Sequence, residues 1–217
     1  ASATTTPSAT TTPTVTATPA FLPLSGTCAQ PGPFAASLVP CPSDASVSVF
    51  VCLDRDLCTD DAFARALLDR ALVDATGVFE LQLSRDDVDR ELLLILETVL
   101  DDGSLQRGFV AAVAEDRRIQ LQPQPLALDP IAEAAVQLLR NEGLSRYSLR
   151  AILAVLAAVR DANAEANFAG RTPAEAAALA LRNAVDDPEV VAALELGDDA
   201  PPPTGDEDDG CQVPSRR

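Results

Sequence analysis

Two hydrophobic periods divide this sequence near residue 129. Before that point apolar and polar residues alternate over short runs. Val47, Val49 and Val51 interleave with Ser48, Phe50 and Cys52, and Val78-Phe79-Glu80-Leu81-Gln82-Leu83 repeats every second residue. A period of two marks a strand, and β-branched residues fit a pleated surface. Asp74-Ala75-Thr76-Gly77 reads as a tight turn with Gly where positive φ is wanted. The apolar run Leu92 to Leu100, the turn Asp101-Asp102-Gly103 and the run Gly108 to Val113 predict a hairpin, and Ile119-Gln120-Leu121-Gln122 alternates again. Short strands spaced by turns predict an antiparallel β-sandwich over 25–128. The stretch Asp60 to Leu72 is ambiguous, because Phe63, Ala66, Leu67 and Ala71 also fit a short helix.

From Asp129 the period becomes helical. Asp129-Pro130 supplies an N-cap residue and a first-turn proline, and Gly143 closes that helix. Leu149, Ile152, Leu153, Leu156 and Val159 define a second amphipathic helix that ends before Gly170. Thr172-Pro173-Ala174-Glu175 is a capping box opening a third, to about Asn183, and Asp187-Pro188 opens a fourth through Leu194. The expected fold class is therefore α+β: a sandwich followed by a small helical bundle over 129–196.

Both ends lack anything to bury. Residues 1–24 begin with a tract of Thr, Ala, Ser and Pro, predicted to be an extended arm. Closely spaced hydroxyls among prolines are the composition of an O-glycosylated stalk, with Thr4, Thr5, Thr6, Thr10, Thr11, Thr12, Thr14, Thr16 and Thr18 as acceptors. The apolar knot Phe21-Leu22-Pro23-Leu24 would anchor that arm on a neighbouring subunit through Phe21, Leu22 and Leu24. Residues 197–217 are acidic and rich in Pro and Gly, and are expected to be disordered.

The run Leu72-Val73-Asp74-Ala75-Thr76-Gly77-Val78-Phe79-Glu80-Leu81, preceded by the strand from Val47 to Leu53, resembles the carboxypeptidase-regulatory-like, transthyretin-like β-sandwich family. Thr76 stands where that family usually has Asn, and a cysteine loop interrupts the chain after Cys52. The resemblance covers about the first half of the folded region. It implies an extracellular, usually non-enzymatic sandwich serving as a spacer or in adhesion and assembly. The helical half is similar to the extension that follows such sandwiches in some bacterial secreted proteins. Related pilin and adhesin sandwiches often close a Lys–Asn isopeptide bond, which a chain without Lys cannot form.

Composition narrows the chemistry. Methionine is absent, and the start Ala1-Ser2-Ala3 is what a signal peptidase would leave, so an exported chain is expected. Five cysteines then point to an oxidising compartment, extracellular or at the cell surface. Cys28 is expected to pair with Cys41 and Cys52 with Cys58 across short loops, leaving Cys211 free, bound to another chain, or paired in another connectivity. A net charge of −17 argues against nucleic acid or anionic lipid as partner, and no apolar run is long enough to insert in a membrane.

Without His, neither a Ser-His-Asp site nor a His-containing zinc site exists. Paired carboxylates could serve glycoside hydrolysis, but the chain has no Trp and a single Tyr to line a sugar cleft. Asp54, Asp56 and Asp60 with Asp61, and separately Asp86, Asp87 and Asp89, are weak calcium candidates that do not follow the EF-hand pattern. No cofactor is expected. These features lead to the expectation of a non-catalytic structural subunit of a bacterial surface filament or sheath, a homopolymer carrying O-glycans. The rivals are a monomeric stalked adhesion or spacer domain and a secreted hydrolase using acidic residues only.

Overall fold

The computed structural model describes residues 20–34, 38–115, 118–124 and 126–198. Among the described residues, nine strands and four α-helices follow one another. The strands are β1 (Phe21–Pro31), β2 (Leu38–Pro40), β3 (Ser46–Cys52), β4 (Arg65–Leu72), β5 (Val78–Ser84), β6 (Leu92–Val99), β7 (Leu105–Glu115), β8 (Arg118–Gln122) and β9 (Leu126–Leu128). The helices are α1 (Pro130–Glu142), α2 (Leu149–Ala162), α3 (Pro173–Val185) and α4 (Pro188–Asp198). The fold is α+β with antiparallel sheets.

The first sheet runs β2-β1-β5, with β9 added parallel to β1; the second runs β4-β3-β6-β7-β8. Leu22, Leu24, Phe79 and Leu81 of the first sheet share one core with Val47, Val49, Leu94 and Val110 of the second. The opposite face of the second sheet, through Leu93, Ile95, Phe109 and Ala111, shares another core with α1, α2 and α3. Strands β6 and β7 thus carry helices on one face and a sheet on the other. That explains why Leu92 to Leu96 and Phe109 to Val113 are continuous apolar runs: a strand buried on both faces has no solvent side on which to place polar residues. The helices form a layer on this sheet, and their core is continuous with it.

Local chemistry sets the turns and caps. The Asp74 carboxylate accepts from the main-chain N–H of Thr76 and of Val78 and from the Thr76 hydroxyl, while Gly77 takes φ +83°. Asp129 caps α1 by accepting from Ala132 N at 2.8 Å, Ser148 caps α2, and Thr172 with Glu175 forms a reciprocal capping box on α3.

Three boundaries differ from expectation. Residues 21–24 are strand rather than arm: β1 begins at Phe21 and pairs with β5 from Phe21↔Ser84 to Thr27↔Val78. The ambiguous stretch is a single 3₁₀ turn, Ala62–Ala64, followed by β4. Its alternation is obscured by a bulge, since Phe50 pairs with Leu67 and Val49 with Asp69, leaving Leu68 as the extra residue. Finally, α4 runs on to Asp198, into the segment assigned to the acidic tail.

Candidate functional site

Asp54 and Asp56 lie in the loop closed by the Cys52–Cys58 disulfide and Asp60 lies just beyond it, and each of these expected calcium ligands has a different task. Asp54 Oδ1 accepts from the N–H groups of Asp56 and Leu57, folding the loop on itself. Asp56 Oδ1 reaches out of the loop to accept from Ser145 N at 2.8 Å. Asp60 pairs with Arg140 of α1 at 2.8 Å. Among the described residues no group of three or more His, Cys, Asp or Glu side chains is arranged to hold a metal ion. Hydrogen bonding by Ser145, its side chain first and its main-chain N–H second, holds the Asp56 carboxyl below its ordinary value.

This loop and the two residues after it, Thr59 and Asp60, fasten the helical layer to the sheet. Besides Asp56 and Asp60, Arg55 Nη1 donates to the carbonyl of Tyr147 at 2.9 Å, and the Thr59 carbonyl accepts from Arg107 Nη1 at 2.9 Å. Arg107 sits on β7 with its side chain buried against α1. Glu133 accepts four hydrogen bonds there: from Arg107 N at 2.8 Å, Nε at 3.1 Å, Nη2 at 2.6 Å, and from Gln137 Nε2 at 3.0 Å. Burial opposes the charge on Arg107. The hydrogen bond and charge of Glu133, with Glu97 and Asp60 nearby, outweigh it and hold the guanidinium above its ordinary value. A carboxylate whose oxygens are this fully engaged is a strut, with no lone pair turned to a substrate. The sequence carries a faint signal of the pair: Arg107 stands just before the apolar run of β7, and Glu133 lies on the buried face of α1 between Ile131 and Val136.

An apolar cleft of about 260 Å³ lies between β7, α1 and α2, with Phe109, Ile131, Leu153 and Leu156 in its walls. At its rim Arg160 is paired with Asp129 at 2.9 Å. The larger opening, about 600 Å³, is a groove between the edges of the two sheets, bounded by Leu22 and Pro23 of β1 and by residues 119–124. On its far side β1 is paired to β5 from Phe21 to Thr27. On the groove side, among the described residues, only Gly26, Thr27 and Cys28 have a partner strand, β9. Gly26 is required at that junction: a Cβ there would lie 2.6 Å from the Phe79 ring and 2.7 Å from the Leu126 carbonyl. Among the described residues, 21–25 therefore present an open edge to the groove, and β8 forms the outer edge of the second sheet beside it.

This edge revises the role of the expected anchors. Leu24 is fully buried and Leu22 nearly so within the chain's own core, because the even positions of β1 face inward; Phe21 alone of the three is exposed, at 52%. The disulfides are Cys28–Cys41 and Cys52–Cys58. Cys211 and the threonines from Thr4 to Thr18 lie outside the described residues. No helix among the described residues is long and apolar enough to cross a membrane.

No family model matches the sequence, no curated protein matches it, and no solved structure matches the fold.

Proposed function

We propose that this chain is a non-catalytic structural subunit of an extracellular surface assembly, a two-sheet sandwich braced by helices and joined to copies of itself through its Thr/Pro-rich N-terminal arm. The observation that carries the reading is the open edge of β1 over residues 21–25, facing a groove at the very strand from which the arm departs. An unpaired strand edge is a template for another strand; Pro23 removes one donor from this edge but leaves its carbonyl, with those of Phe21 and Ser25, free to accept. Two disulfides suit an oxidising compartment. Asp54, Asp56, Asp60, Asp74, Asp129 and Glu133 are engaged in loop, cap and ion-pair contacts, which supports a structural over a hydrolytic role for them. The resemblance of the 72–81 segment to carboxypeptidase-regulatory-like sandwiches, and the threonine spacing suited to O-glycans, agree with a surface role.

The test is electron microscopy of the protein as secreted, without denaturant. Regular assemblies support the reading; isolated particles of single-chain size at every concentration overturn it and favour a monomeric spacer.

A further inference from the structure

Resting on the reading that the arm joins copies, we propose that residues Thr14–Thr18 of each copy add as an antiparallel strand to the β1 edge of one other copy, reciprocally, so that the arm builds a closed two-fold pair.

The direction of the main chain at the groove comes first. Ala20 O accepts from Arg85 N at 3.0 Å and Cys28 N donates to Gly77 O at 2.7 Å, so even-numbered positions of β1 direct their main-chain groups to the β5 side. Successive residues alternate, so Phe21, Pro23 and Ser25 direct theirs to the groove. They offer three carbonyl acceptors and two N–H donors, since Pro23 has none.

Next is the segment that would satisfy them. Thr14-Val15-Thr16-Ala17-Thr18 alternates with a period of two and is bounded by Pro13 and Pro19. Antiparallel addition with Thr18 opposite Phe21 places Thr16 opposite Pro23 and Thr14 opposite Ser25. Directly opposed residues share a face, so Val15 and Ala17 then stand over the buried Leu24 and Leu22, and the three threonines face solvent with exposed Pro23 and Ser25. The strand stops at Pro13, where Gly26 is already paired with Leu126 of β9. The open edge and the alternating segment are both five residues long. A shift by one residue would turn Thr14, Thr16 and Thr18 inward.

The partner is a second copy because the same register in one chain would leave only Pro19–Ala20 to reverse it. Two-residue hairpins favour primed turns with positive φ at the first central residue, and proline is fixed near −65°. The Ala20–Arg85 hydrogen bond instead carries the chain straight past the end of β1. An extended 14–25 segment laid antiparallel on its own copy is self-complementary: where Thr18 of one meets Phe21 of the other, Phe21 of the first meets Thr18 of the second. Such an isologous contact closes on itself. A filament would then grow from pairs through a different surface.

Disulfide trapping tests the register. Opposed residues of this kind have Cα atoms about 5.5 Å apart, within the range a disulfide spans. Full-length T16C and P23C proteins, each also carrying C211S, are mixed without reductant and oxidised with copper–phenanthroline, which takes the two electrons from the new thiol pair and leaves the native disulfides intact. The proposal expects a covalent dimer in the mixture and far less in either protein alone. T14C with S25C repeats the test should Pro23→Cys fail to fold. A cross-link formed only within single chains of a T16C/P23C double variant overturns exchange and fills the edge in cis. Assemblies that persist with no cross-link in either pair overturn the groove as the docking edge while leaving the assembly reading intact. Absence of any assembly overturns both.

Discussion

The carboxylate of Asp56, in the loop closed by Cys52–Cys58, accepts a hydrogen bond at 2.8 Å from the main-chain N–H of Ser145, 89 residues further along the chain. Ser145 lies in the single 3₁₀ turn between α1 and α2, and Arg55 binds Tyr147 at the end of the same turn. A covalently closed loop on the sheet therefore grips the junction of the helical layer.

Removing that covalent closure should loosen the junction before the sheets. Cross-linking across so short a loop is worth roughly 2 kcal/mol in the chain-entropy account. The double variant C52S/C58S should lose about that much in a denaturant titration. Hydrogen exchange should accelerate first at 143–148, with β1 and β5 little changed.

The Asp56 contact also gives stability a sign in pH. Its carboxyl is held below its ordinary value in the folded chain, so the stability it contributes is present above the unfolded value near 3.8 and is lost as pH falls through the folded one. Asp102, lowered by Ser104, acts in the same direction. Thermal melts should fall as pH drops below about 4. Asp56→Asn should melt lower than the parent at pH 7, with the difference shrinking towards pH 3.

How much of this architecture is legible in the sequence depends on whether the signal is local. Asp129, Thr172 with Glu175, and the Asp101-Asp102-Gly103 hairpin are written in neighbouring residues, and the elements they start or join are where the spacing puts them. Strand β1 was hidden because Pro23, Ser25 and Gly26 continue the composition of the arm, and only its pairing with β5 and β9 shows Leu22 and Leu24 as core. Strand β4 was hidden by its bulge, which breaks the period at Leu68. The open edge was not legible at all, since it depends on where β9 leaves β1.

The Arg107–Glu133 pair should behave as a buried strut. Both side chains are almost inaccessible, at 9% and 6%. Glu133→Ala leaves a buried guanidinium uncompensated and should cost about 3–5 kcal/mol. The double variant R107M/E133L, which removes both charges, should recover much of that loss. A denaturant titration of the three proteins reads the difference directly.

Sugar on the arm should appear in the intact mass. The polypeptide alone is 22.7 kDa, and on the proposed reading the protein from its native source should exceed this by several hexose units, removed by deleting residues 1–19. A mass equal to the bare polypeptide would leave the arm unmodified.

The most direct measurement of the central claim is the solution mass of the full chain beside that of a chain beginning at Ala20, which keeps all of β1. Light scattering on a sizing column, at several concentrations and at about 0.15 M salt to screen the −17 charge of each copy, reads both. The account predicts at least a dimer for the full chain and a folded monomer for the truncated one. A monomeric full chain, or a truncated chain that associates just as strongly, would contradict it.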